Sequence, residues 1–136
     1  MSSIFSSAIS GMNAAATRFS NAVTNIVNAS STGRLPNSSE KKATSYQPTD
    51  VITLSNDVGD NHLGVTTAII PRDRPYSVAR DVTSPDANAE GLIAVPNVDL
   101  TKEIVDTMMA ELAYKANAKV IAAAKRTEET LVNTLA

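Results

Sequence analysis

The stretch from Asn97 to Ala136 constrains this chain more than any other. No proline follows Pro96 and no glycine follows Gly91, so nothing in it interrupts a helix. Val105, Met109, Leu112, Ala116, Val120, Ala123, Thr127 and Leu131 recur at steps of 4, 3, 4, 4, 3, 4 and 4, a hendecad-like pattern that keeps one stripe along one side of a nearly straight helix. Asp99 or Thr101 can cap its start, and with Thr101 as the cap Leu100 and Val105 can staple the entry. Such a helix reaches about 55 Å at its usual rise, more than a domain of this size needs, and so calls for a partner.

The partner is expected at the other terminus. Phe5, Ala8, Met12, Ala15, Phe19, Ala22, Ile26 and Ala29 alternate strictly between steps of three and four, an unbroken seam over more than three heptads. The polar side of this segment is Ser, Thr and Asn with one charge, Arg18, up to Gly33. A solvated helix face normally carries charge, so this helix is expected to be enclosed in its working state and weakly helical alone. Met108 and Met109, spaced with Val105 and Leu112, read as core.

Gly33 reads as the stop of the first helix. All six prolines lie between Arg34 and Pro96, which excludes long helices there. Arg34 to Thr44 reads as a polar loop, and strands are expected at Val51 to Leu54, Val65 to Ile70 and Tyr76 to Val82. Asp57 to Gly64 reads as a turn, Ser84 to Gly91 as another, and Gly91 to Val95 as an extended lead into the last helix. The predicted fold is therefore mainly α: residues 1–33 and 97–136 form two long helices paired as a coiled coil, and 34–96 a small β-hairpin or irregular insert.

Composition narrows function by exclusion. Two Phe, three Tyr and no Trp supply little burial for an isolated globule of 136 residues. A net charge of −2 gives no field for nucleic acid or anionic lipid. Without cysteine there is no thiolate nucleophile or thiolate metal site. The lone histidine, His62, sits near Asp57 and Asp60 in a polar run that lacks the ligand order of a calcium loop. Asp86 and Glu90 are the one compact acidic pair in a loop, and a link between elements explains them better than acid–base chemistry. Phosphate-binding, dinucleotide-binding and nucleophile-elbow glycine patterns are missing. The sequence thus predicts no catalytic, cofactor-binding or metal-binding residues, no enzyme and no small-molecule substrate. Nor does it hold an apolar run long enough to span a membrane, or the pattern of a cleaved secretory signal.

Three clusters of residues carry a resemblance. Ser10, Gly11 and Met12, then Asn25, Ile26, Asn28, Ala29, Thr32 and Gly33, form one. Pro85 to Gly91 with Pro96, Asn97, Val98 and Asp99 form the second. Glu103 to Asp106 with Ala113, Tyr114, Lys115, Ala116 and Asn117 form the third. Together they resemble the axial proteins of the bacterial flagellum, most closely the proximal rod family of FlgC type. Ser30, Arg34 and Leu92 depart from that family, which usually has Asn, an aromatic and Tyr there.

The resemblance implies a structural subunit of the basal-body rod, a tubular shaft that transmits torque and surrounds an export channel. Implied partners are copies of itself, other rod proteins, the flagellar type III export apparatus and basal-body ring components. The implied location is the periplasm-spanning rod, reached without a cleaved signal. Phe5, Met12, Phe19, Ile26, Val105, Met109, Leu112, Ala116, Val120 and Leu131 are the expected assembly seam, and Asn25, Asn28, Gly33, Tyr114 and Asn117 match the family signature. Two alternatives are another flagellar axial protein, of distal rod or hook type, and a coiled-coil adaptor that forms no filament.

Overall fold

The computed structural model describes residues 2–37, 42–58 and 61–135. Helix α1 runs Ser2–Asn28, strands β1 and β2 run Thr49–Val58 and Asn61–Pro71, β3 and β4 run Tyr76–Arg80 and Leu92–Pro96, and α2 runs Leu100–Leu135. The helices take 27 and 36 residues, so helix is the largest class of structure. The strands form two separate two-stranded sheets, β1 with β2 and β3 with β4.

The expected insert with a single hairpin is corrected by this second sheet. The run LIAVP, read as an extended lead, is strand β4, antiparallel to β3 with Val78 opposite Ala94 and Ala79 opposite Ile93. Its edge is extended by a bridge to Gly33, whose N–H donates to the Ala94 carbonyl at 3.0 Å while Ala94 N–H donates back at 2.8 Å. Gly33 is therefore not the helix stop. α1 ends at Asn28 in a turn, and Gly33 must be glycine because a Cβ there would lie 2.1 Å from the Ser45 backbone nitrogen. Its place is set by close approach, not by a left-handed conformation.

The loop from Arg34 is tied at its ends, with Thr44 N–H donating to the Arg34 carbonyl and Arg34 N–H to Thr44 Oγ1. The tip of the Asp57 to Gly64 turn and the His62 side chain lie outside the described residues, so the reading of His62 is left where the sequence put it. Gly64 is in strand β2, with a φ of 95° that favours glycine. At α2 the cap is Asp99, whose carboxylate accepts from Thr101 N–H at 2.9 Å and Lys102 N–H at 3.1 Å.

The chain divides into two compact units. One comprises residues 1–20, 51–68 and 105–136, the other 21–50 and 69–104. Among the described residues, the buried side chains of the first are all alanine: Ala8, Ala14, Ala15, Ala110 and Ala124. The second buries Ala22, Asn25, Ala43, Ser45, Pro48, Ile93, Ala94, Pro96 and Glu103.

Candidate assembly surface

Within the first unit the two helices lie side by side and antiparallel. Ala15, Ala16 and Phe19 of α1 face Ala110, Glu111, Tyr114 and Lys115 of α2 across a groove of about 280 Å³. Further along, Ile4 and Ala8 face Asn117 and Val120 across a second groove of about 320 Å³. Between these, the helices close to the point where a Cβ on Gly11 would meet the Asn117 amide at 2.7 Å. Ser10 ties the β2 strand to the same helix, accepting from Val65 N–H at 3.1 Å and donating to the Ser7 carbonyl at 2.8 Å. A side chain at Gly64 would strike the Ser10 hydroxyl.

The α1 stripe is part buried and part open, and its last member, Ala29, lies beyond the end of the helix. Ala8, Ala15 and Ala22 are buried and Phe5, Met12 and Ile26 half-buried, while Phe19 is left 46% exposed at the mouth of the first groove. The α2 stripe lies largely in the open, although Val120 lines the second groove. Val105, Met109, Leu112, Ala116, Val120 and Leu131 are exposed, and so is Met108, which corrects the reading of Met108 and Met109 as core. From Val105 onward, the less exposed of the described residues are Asp106, Thr107, Ala110, Asn117, Ala118, Ile121 and Ala124, about a third of a turn round the helix. Closeness explains the choice at Ala110 and Asn117: opposite Ala15 and Gly11 of α1, a small or flat side chain fits between the two backbones. The larger residues are left on the outer surface, with Met109 61% and Leu112 63% exposed.

The signature residues take distinct structural places. Asn25, 0% exposed, donates to the Thr49 carbonyl at 2.9 Å and accepts from Tyr46 Oη at 2.8 Å and Thr49 N–H at 3.3 Å. Asn21 adds a second clasp on Thr49, donating to its carbonyl at 2.8 Å and accepting from its hydroxyl at 2.5 Å. Burial raises the Tyr46 phenol above its ordinary value, which keeps it a protonated donor. Asn28 bonds back to the Thr24 carbonyl, Asn117 to that of Ala113, and Tyr114 lines the first groove. The charge-poor face of α1 is thus partly used inside the chain.

An ionic cluster around one buried carboxylate was not visible in the sequence. Glu103, 1% exposed, accepts from Arg72 Nη2 at 2.9 Å. The same guanidinium donates to both Asp50 oxygens, at 2.6 and 3.2 Å, and to the Asn97 carbonyl at 3.0 Å. Hydrogen bonding from Arg72 holds the Asp50 carboxyl below its ordinary value, and Asp50 in turn raises the Arg72 guanidinium. One planar cation thereby joins the ends of β1 and β2 to the first turn of α2. Partners 22 and 31 residues apart leave no local signal.

Comparison with known proteins places this architecture. Residues 89–135 match the family model "Flagellar basal body rod FlgEFG protein C-terminal". The flagellar basal-body rod protein FlgC of Yersinia enterocolitica is 32% identical over 120 residues, covering 87% of this chain and 85% of that protein. The chain belongs to the flagellar basal-body rod proteins of FlgC type. The FlgC of Bacillus subtilis is 43% identical over 53 residues, and that of Borreliella burgdorferi 36% over 77. Those alignments span 35% and 49% of the two relatives, so the chain matches about a third to a half of their length.

Proposed function

We propose that this chain is a structural subunit of the flagellar basal-body rod, at its proximal part, and that its work is mechanical. The reading rests on family membership together with one observation. The large apolar residues of α2 lie on the outside of the chain, where an isolated monomer gains nothing from them. In a helical array they would meet neighbouring copies through contacts that repeat without closing into a ring. Phe5, Met12, Phe19 and Ile26 on α1, with Val105, Met109, Leu112, Ala116, Val120 and Leu131 on α2, form the assembly seam, and the two terminal helices act as a coiled-coil pair within it. Asn25, Asn28, Gly33, Tyr114 and Asn117 hold the chain in the shape that presents this seam.

Partners in this reading are copies of the chain, other rod proteins, the type III export apparatus and ring components of the basal body. The location is the rod, reached without a cleaved signal. No reaction is assigned, and the charged side of α2 that includes Lys119 faces the channel.

The test is Leu112→Asp, with Phe19→Asp beside it, in a cell whose rods can be imaged by electron microscopy. Both variants are expected to be exported and to build no rod. Normal rods from either would refute the seam. An adaptor that forms no filament would instead be recovered as a soluble dimer or complex unaffected by these changes.

A further inference from the structure

The ionic cluster and the asparagine clasp share a feature that packing alone does not require. Each fixes one helix at the place where that helix passes from one unit to the other. α1 is clasped at Asn21 and Asn25, just after the first unit's share of it ends at Ser20. α2 is held at Asp99 and Glu103, just before the first unit's share begins at Val105. Starting a helix is unfavourable by a factor on the order of 10⁻³, because several residues must be ordered before the first bond closes, while extension is nearly neutral.

The first turn of α2 has that penalty removed by side chains outside the helix. Asp99 accepts two of its orphan N–H groups, Glu103 N–H donates to the Asp99 carbonyl at 3.0 Å, and Arg72 clamps the buried Glu103 carboxylate. Lys102 adds a looser pair, 3.9 Å from Asp50. Beyond Glu103 the helix packs on α1 through a thin contact, with Ala110 and Ala124 its buried side chains among the described residues. Its facing residues are mostly small, and its larger ones are exposed.

We propose that the Arg72–Glu103 pair is a nucleation pin, from which α2 extends by elongation alone. The unit of residues 21–50 and 69–104 then orders first, and residues 105–135 form a helix whose order decays with distance from the pin. This goes beyond the rod reading and concerns the single chain, so it stands or falls in dilute solution whatever becomes of assembly.

The test is hydrogen exchange on the full-length monomer and on Glu103→Leu and Glu103→Gln variants, with Leu112→Ser as control. In the native chain, protection along 105–135 should fall steadily from the Val105 end. In Glu103→Leu, amides of 105–115 should exchange at least tenfold faster, while the β3–β4 amides of Ala79 and Ile93 change less than twofold. Glu103→Gln keeps the acceptor for Arg72 and loses its charge, so it should show the same pattern at about threefold. Leu112→Ser should leave the residues before Met109 unchanged. Flat protection along α2 in the native chain overturns the proposal. So does equal acceleration of both regions in both glutamate variants, or no acceleration in either.

Discussion

The two units solve opposite problems. The first is held by alanines, which bring backbones together but remove little apolar area from water, so its cohesion as a single chain is weak. The second buries the Asn25 amide and the Glu103 carboxylate, which find partners in Thr49, Tyr46 and the half-buried Arg72 guanidinium. Buried polar networks of this kind add specificity more than raw stability, since each broken partner leaves another unsatisfied. One unit leaves its larger apolar side chains in the open, and the other closes polar side chains on partners of its own. The contrast is sharpest on the surface of α2, where Met108, Met109 and Leu112 are each more than half exposed.

That contrast can be broken in several ways. The largest effect in the second unit is expected from Gly33→Ala, because the new Cβ meets the Ser45 backbone, which cannot swing aside as a side-chain end could. A loss of about 3 kcal/mol is expected by denaturant titration, with no local relief. A wild-type midpoint would mean that the Gly33 bridge to Ala94 is dispensable.

Asn25→Ala should cost about 2 kcal/mol, since Tyr46 Oη and Thr49 N–H each lose the acceptor that the Asn25 amide provides. Chemical denaturation followed by tyrosine fluorescence reads this directly, Tyr46 being at the site. If the first unit lost as much order as the second, the division between them would be wrong.

Acid offers a smaller and signed effect. Asp50 has a folded value below its ordinary 3.8, so its contribution is fully present above that pH and is lost as pH falls through the lower folded value. Asp50→Asn should therefore flatten the dependence of stability on pH below about 4 and leave it unchanged near neutrality. An unchanged acid slope would remove Asp50 from the network.

The smallest effect is expected at Lys115, which pairs with Glu111 one helical turn away on an exposed surface. Lys115→Ala should leave the thermal midpoint of the monomer where it was. A clear shift would mean that this surface is ordered in the single chain to a degree its exposure does not suggest.

The sequence was legible where burial follows hydrophobicity and opaque where it does not. Part of the α1 stripe could be read because Ala8, Ala15 and Ala22 alternate with Phe5, Met12 and Ile26 at helical spacing, and these positions are buried or half-buried, while Phe19 of the same stripe stays open. The inward side of α2 could not, because Thr107 and Asn117 rank below Met109 and Leu112 on any apolar scale yet fit the space that Gly11 and the alanines leave. The length and start of α2 were readable from the lack of breakers and from Asp99. Strand β4 was missed because LIAVP is short, ends in proline and pairs with a strand beyond a turn-rich link. Gly33 shows a different failure: glycine after a helix usually signals its end, and here it marks a crossing of two chain segments. The Arg72 cluster joins residues that nothing local connects, so only coordinates could bring them together.

Gly11 has one more implication. Two smooth cylinders can be laid together at any offset, and a row of identical methyl groups does little to choose among them. A single notch, filled by the Asn117 amide, makes one offset fit and the others clash. The notch works like the keyway of a shaft coupling, fixing axial position at one point and leaving the remaining length free to bend.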